Sequence, residues 1–207
     1  MHNTFSVISR VIIAIISGLA LLFMTISSII PGSIHQPSLA QHPPTAANTT
    51  TSRTTNANFQ TYSNAAFGIK MNYPSNWLKL DLSRSNSSVP VVAFKSTGKS
   101  AGVLFLSGNV NYRNVTLATI VTTRENQVTH SGNILHLVSS TPATFAGKPA
   151  HKIVYTTIAP QGKFEAMQLI SLVGKKGYFI TYVVPQANYT TYLPTIQTII
   201  DSAEITK

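Results

Sequence analysis

Tyr178-Phe179-Ile180-Thr181-Tyr182-Val183-Val184 is the stretch on which the fold turns. Successive side chains of a strand point to opposite faces of its sheet. Tyr178, Ile180, Tyr182 and Val184 make one face of this strand apolar, and Phe179 and Val183 supply the other. A strand apolar on both sides is covered on both sides. Working outward, strands are expected at 134–141, 150–158 and 164–173, each rich in β-branched or aromatic residues. Ala159-Pro160-Gln161-Gly162 places Pro and Gly where a type I turn wants them, and Gly174-Lys175-Lys176-Gly177 closes the next hairpin. Strands joined by such short turns pair antiparallel.

The covers are two helices. Leu117, Ile120, Val121 and Val128 keep helical spacing, which predicts a helix over 116–129 that ends at His130-Ser131-Gly132. Tyr189, Tyr192, Leu193, Ile196, Ile199, Ile200 and Ala203 form one apolar stripe, the signature of a terminal amphipathic helix. Pro194 near its start predicts a first turn that is bent or separate. Ahead of these lie expected strands at Phe67–Tyr73, stopped by Pro74-Ser75-Asn76, and at Trp77–Leu82, Pro90–Lys95 and Gly102–Ser107. The whole predicts an α+β domain, an antiparallel β-sheet flanked by helices in an α/β/α sandwich.

Upstream the chain changes character. Val11 to Ile30 runs without a charge, and as a helix it would span about 30 Å, the hydrocarbon thickness of a bilayer. Arg10 precedes it and no further Lys or Arg appears before Arg53, so the positive-inside bias sends the remainder across the membrane. Residues 1–30 are therefore read as a cytoplasmic N-terminus with an anchor, or as a signal peptide cleaved after Ala40, within Ser38-Leu39-Ala40. Residues 31–58 carry Pro31, Pro37, Pro43 and Pro44 and a Thr/Asn-rich run, too polar to offset ordering entropy, and are expected to form a disordered tether. Residues 59–207 are the expected domain, outside the cytoplasm and anchored, or secreted if cleaved.

Fifteen Lys and Arg face five acids, and setting Arg10 aside leaves the exported part at +9. Such a field favours anionic partners. The only adjacent basic pair, Lys175-Lys176, lies at a hairpin tip and is a candidate contact for an anionic partner. Scattered basic residues on an exported domain do not read as a nucleic-acid site. Asn48, Asn86, Asn114 and Asn188 stand in glycosylation sequons.

Chemistry is sparsely provided. Acid–base or glycosidase catalysis needs two positioned carboxylates, and the chain has only Asp81, Glu125, Glu165, Asp201 and Glu204. Asp201 and Glu204 read as an exposed helix end. Serines with His130, His136 or His151 could compose a triad on paper, but no Gly-x-Ser-x-Gly elbow is present. The same histidines lack paired zinc-ligand spacing, and there is no cysteine. No catalytic, cofactor or metal residue is therefore assigned and no cofactor is expected. Tyr62, Tyr73, Trp77, Tyr112, Tyr178 and Tyr182 are expected to pack rather than to stack on a ligand.

Phe67-Gly68-Ile69-Lys70-Met71-Asn72-Tyr73-Pro74-Ser75-Asn76-Trp77 resembles the opening of PsbP-like domains, an aromatic–glycine strand running into a tyrosine–proline–tryptophan turn. Gly147, Pro149 and Ala150 before Ile153-Val154-Tyr155 are similar to that family's central strand, and Gly177-Tyr178 and Ile199-Ile200-Asp201-Ser202 continue its order. The resemblance implies the antiparallel α/β/α sandwich and a scaffold that binds rather than catalyses. It gives the expectation of a non-catalytic extracytoplasmic binding module. Its role would be an accessory or assembly factor for a membrane protein complex. Its partners would be the membrane, through the N-terminal segment, and such a complex or another acidic surface. A small-ligand or metal-binding sensor is the alternative.

Overall fold

The computed structural model describes residues 58–65, 68–82, 91–97, 101–109, 114–132, 134–160 and 162–206. The expected anchor, signal peptide and tether, Asn48, Asn86 and Tyr112 lie outside them. In chain order the described elements are β1 (Phe59–Asn64), β2 (Ile69–Pro74), β3 (Trp77–Asp81), β4 (Val91–Ser96), β5 (Gly102–Asn109) and helix α1 (Leu117–Thr129). Then follow β6 (Leu135–Phe145), β7 (Lys148–Ala159), β8 (Gly162–Val173), β9 (Lys176–Pro185), a 3-10 turn (Gln186–Asn188), α2 (Tyr189–Asp201) and β10 (Glu204–Ile205). Seven strands make one antiparallel sheet in the order β3-β4-β5-β9-β8-β7-β6, and β1-β2-β10 make a smaller one.

The strand that announced the fold sits inside the large sheet, with β5 on one side and β8 on the other. Its two apolar sets part as expected. Tyr178, Ile180, Tyr182 and Val184 enter a core with Ile196, Ile199 and Ile200 of α2 and with Tyr62, Ile69, Met71 and Tyr73 of the small sheet. Phe179 and Val183 pack beneath α1, where Ile120, Val121 and Val128 meet Ile153, Tyr155, Ala166 and Ile170. Burying an aliphatic or aromatic side chain of this size contributes about 1.5–3 kcal/mol. The two clusters are what hold a helix against each face. The result is the antiparallel α+β sandwich.

Local chemistry explains the joints. Ala146 and Gly147, at φ 48° and 69°, form the two-residue link between β6 and β7, both in the left-handed region that a type I′ hairpin requires. Thr116 caps α1, its hydroxyl oxygen accepting from the Thr119 N–H at 3.1 Å. Pro194 lies within α2 on its exposed side, where water can replace the hydrogen bond proline forgoes, and the separate first turn is the 3-10 segment.

Sequence reasoning found no strand at β1 or β10. Both belong to the small sheet: β1 pairs with its sequence neighbour β2, from Asn64↔Ile69 to Phe59↔Pro74, and β10 closes on β2 from far along the chain across Glu204↔Lys70 and Ile205↔Ile69. Gly68 permits this closure. Its φ is +63°, its carbonyl accepts from the Thr206 N–H at 3.0 Å, and a Cβ there would lie 3.0 Å from the Thr206 carbonyl oxygen.

Candidate functional site

A polar strip runs across the large sheet beneath α1. Ser140, Ile153, Gln168 and Thr181 are register partners on β6, β7, β8 and β9, so their side chains line up on one face. Arg124 reaches down to this strip from α1 and is 2 % exposed. Its Nε donates to Gln168 Oε1 at 2.8 Å and its Nη1 to Gln127 Oε1 at 3.4 Å, while Gln168 Nε2 donates onward to Thr181 Oγ1 at 3.2 Å. The guanidinium carbon lies 4.9 Å from the Tyr155 ring centroid. Arg124 makes no ion pair with any described residue. Its Nη2 and the Tyr155 hydroxyl are buried without a hydrogen-bond partner among the described residues. Burial pushes the Tyr155 phenol pKa up, opposed by the neighbouring positive charge. A buried cation held only by neutral dipoles and a ring is costly.

One step along, Ser140 Oγ donates to Glu125 Oε1 at 2.5 Å and meets His151 Nε2 at 2.7 Å. The three types that sequence reasoning could join only on paper are thus together, but in the wrong order for nucleophilic catalysis. There, histidine lies between serine and acid, taking the proton from one and being oriented by the other. Here the serine lies between, its proton directed to the carboxylate, so His151 donates to it and is no base toward it. The arrangement pins α1 to β6 and β7.

The remaining candidates are dispersed. His130 caps the C-terminus of α1, its ring Nδ1 2.8 Å from the Asn126 carbonyl oxygen. His136 pairs with Thr156 on the opposite face from His151. No group of three metal-ligating side chains occurs among the described residues. Asp201 accepts from Gln197 at 2.7 Å and Glu204 pairs with Lys70 at 3.2 Å, so these carboxylates serve separate local contacts. Asn114 and Asn188 are both exposed, the first at φ 64° ahead of α1 and the second preceding α2. Lys175 is exposed at its hairpin tip, whereas Lys176 is half-buried with its ammonium close to Gly68. Tyr62, Tyr73, Trp77, Tyr178 and Tyr182 are all buried. Rings pair at Tyr73–Phe94 and Tyr62–Phe94, with centroids 4.3 and 5.5 Å apart.

Beneath the start of α2, Tyr182 donates to the Tyr189 carbonyl oxygen at 3.0 Å and the two rings lie 5.4 Å apart. Burial pushes the Tyr189 phenol up to about 12, with the Glu165 charge adding to it, and raises Tyr182 further for the same reasons plus its tyrosine neighbours. Burial also raises the Glu165 carboxyl.

Composition concealed one feature. Ile134, Leu137, Val138 and Ile158 stand 60, 39, 57 and 53 % exposed around the outer edge of the large sheet. The Ile158 N–H donates to the Ile134 carbonyl oxygen at 3.2 Å, and a bulge at Val138 breaks the β6–β7 register between Leu137 and Ser139. Periodicity could not find this cluster, because an exposed apolar residue reads as core in sequence. Its only signal was the run Ile134-Leu135-His136-Leu137-Val138, which does not alternate.

A helix-covered antiparallel sheet with its polar interior tied into hydrogen bonds defines a sandwich domain of the α+β class. The chain belongs to the PsbP-like protein family, which matches residues 12–205. In fold it is similar to the cyanobacterial PsbP (CyanoP) of Synechocystis, with a TM-score of 0.56 at 13 % identity, covering 74 % of this chain and 95 % of that one. A Bacteroides thetaiotaomicron structure aligns with a TM-score of 0.50 at 12 % identity, over 71 % of this chain and 48 % of that one. No curated protein matches the sequence.

Proposed function

We propose that this chain is a non-catalytic extracytoplasmic binding module, an accessory or assembly factor for a membrane protein complex. Residues 11–30 hold it to the membrane, and 31–58 give the domain reach. The observation that carries the reading is the contrast between its two kinds of surface. Arg124, Glu125, Ser140, His151, Gln168 and Thr181, the polar groups with the means for chemistry, are bonded to one another beneath α1. Large apolar side chains are instead presented at the β6–β7 corner. Clustered apolar exposure on a folded domain marks an interaction surface, and the excess of cations directs it toward anionic partners.

A cross-linked pull-down from native membranes, with residues 59–207 as bait at low and high salt, tests this. Recovery of one membrane complex, weakened by salt, is the expected result. Empty recovery at both salts refutes the assembly-factor reading.

A further inference from the structure

We infer that the β6–β7 corner is a bilayer-docking surface that rests on anionic lipid headgroups. Ile158 sits opposite Lys163 on β8, and Ile134 is bonded to Ile158, so an Ile134–Ile158–Lys163 row crosses the end of the sheet. The parity that places Val154 and Ala150 in the α2-side core also puts Lys148, Lys152 and Ile158 of β7 on that side. All three are exposed there, as are Lys163 and His136. Beyond the cover of α2 this face therefore shows Ile134 and Ile158 beside Lys163, with Lys152 six residues, roughly 20 Å, back along β7 and Lys148 at the far end of that strand. The acid in the neighbouring row is Glu165, half-buried, its carboxyl pKa raised by burial.

Apolar groups that enter the headgroup boundary while cations meet anionic lipid are the elements of interfacial binding. Each Lys or Arg near an anionic leaflet contributes about 1 kcal/mol, and the contact weakens within a Debye length. A second copy of the chain is disfavoured, since it would bring these lysines against one another. A bilayer is the anionic surface guaranteed to be near. The uncharged run ends at Ile30, and only 27 residues, Pro31 to Ala57, stand between it and the described domain. The inference takes the anchored topology proposed above as given. β1 enters beside β2, whose Tyr73 packs on Phe94 of β4. The β6 edge lies five strand spacings from β4, roughly 24 Å at about 4.8 Å each, so the chain enters the domain well apart from the corner.

The chain has no cysteine, so single substitutions report position without background. Full-length chains carrying Val138→Cys, Ile158→Cys, Leu78→Cys or Leu21→Cys, each labelled with an environment-sensitive dye, are reconstituted into phosphatidylcholine vesicles with or without phosphatidylglycerol. Leu78 is the control: 51 % exposed and on β3, at the other edge of the sheet. Docking predicts a blue shift and loss of iodide quenching at Val138 and Ile158 in the anionic vesicles. Both effects disappear at roughly 1 M salt, where the Debye length is about 3 Å, and Leu78 stays quenchable throughout. Quenching at Val138 and Ile158 equal to that at Leu78, with Leu21 protected, overturns docking and leaves the anchor standing. If Leu21 is also quenched, the anchored topology has failed, and Val138 alone decides: protection supports docking and quenching overturns it. Protection that appears only after membrane proteins are added back overturns the lipid assignment in favour of a protein partner.

Discussion

Replacing Gln168 with Leu isolates the cost of the buried cation beneath α1. The substitution nearly conserves volume at a site 4 % exposed, so the loss is chiefly electrostatic. It removes the 2.8 Å acceptor of Arg124 Nε and the donor to Thr181 Oγ1. A hydrogen bond to a charged group contributes about 1.5–3 kcal/mol, and stripping the partner from a buried charge costs about 3–5 kcal/mol. The expected loss for Gln168→Leu is therefore about 3–4 kcal/mol. Arg124→Met alone leaves the Gln168 carbonyl unpaired and loses the contact with the Tyr155 ring, at about 2–3 kcal/mol. The double variant removes charge and acceptor together, so it is expected to be more stable than Gln168→Leu alone, with a coupling of about 3 kcal/mol. Trp77, the single tryptophan and 6 % exposed, reports unfolding in urea. At a slope of roughly 1.5 kcal/mol/M, the Gln168→Leu midpoint falls by about 2 M, and the double variant falls by slightly less than that rather than by the roughly 4 M that additive singles would give. A double variant as unstable as the sum of the singles refutes the reasoning, because the charge would then be balanced by something other than Gln168.

Gly68→Ala is expected to cost about 2–4 kcal/mol, from a left-handed backbone and a Cβ 3.0 Å from the Thr206 oxygen, and to raise hydrogen exchange at β10 before global unfolding. Phe94→Ala empties a site 0 % exposed between Tyr62 and Tyr73 and is expected to cost about 3–5 kcal/mol in the same urea assay. Because the Glu165 carboxyl is raised in the folded state, its contribution is present below the ordinary carboxylate range and lost as pH rises through the folded value. Glu165→Gln is therefore expected to flatten that part of a melting-temperature profile against pH. Tyr189 titrates near 12 when folded, so stability held below the ordinary phenol range is lost between about pH 10 and 12. Tyrosinate absorbance and circular dichroism should change together there, and ionisation of all tyrosines before any unfolding contradicts the buried assignment.

How much was legible depended on the range of the interactions. Residues 178–184 announced a doubly covered strand because period-2 side-chain alternation is local geometry, and α2 was visible because its apolar stripe recurs with the helical turn. The Tyr-Pro-x-x-Trp turn and the glycines exposed the family for the same reason: they answer to backbone geometry that neighbours in sequence impose. The charge excess and the scarcity of acids were likewise readable without coordinates.

What remained needed the tertiary structure. β1 and β10 exist through pairing with β2, and β10 reaches across more than 130 residues to do so, a contact that leaves no periodic trace. Glu125, Ser140 and His151 became a pinned joint rather than a triad only when packing fixed which atom lies between the other two. Arg124 reads in sequence as one more surface cation, and its burial is set by the helix that lands on Tyr155 and Gln168. The β6–β7 corner is the converse: apolar residues that periodicity assigns to a core stand in solvent because the sheet ends there. Local chemistry determined the elements and their covers. The closing of distant segments on one another decided which side chains are hidden and which stand in solvent.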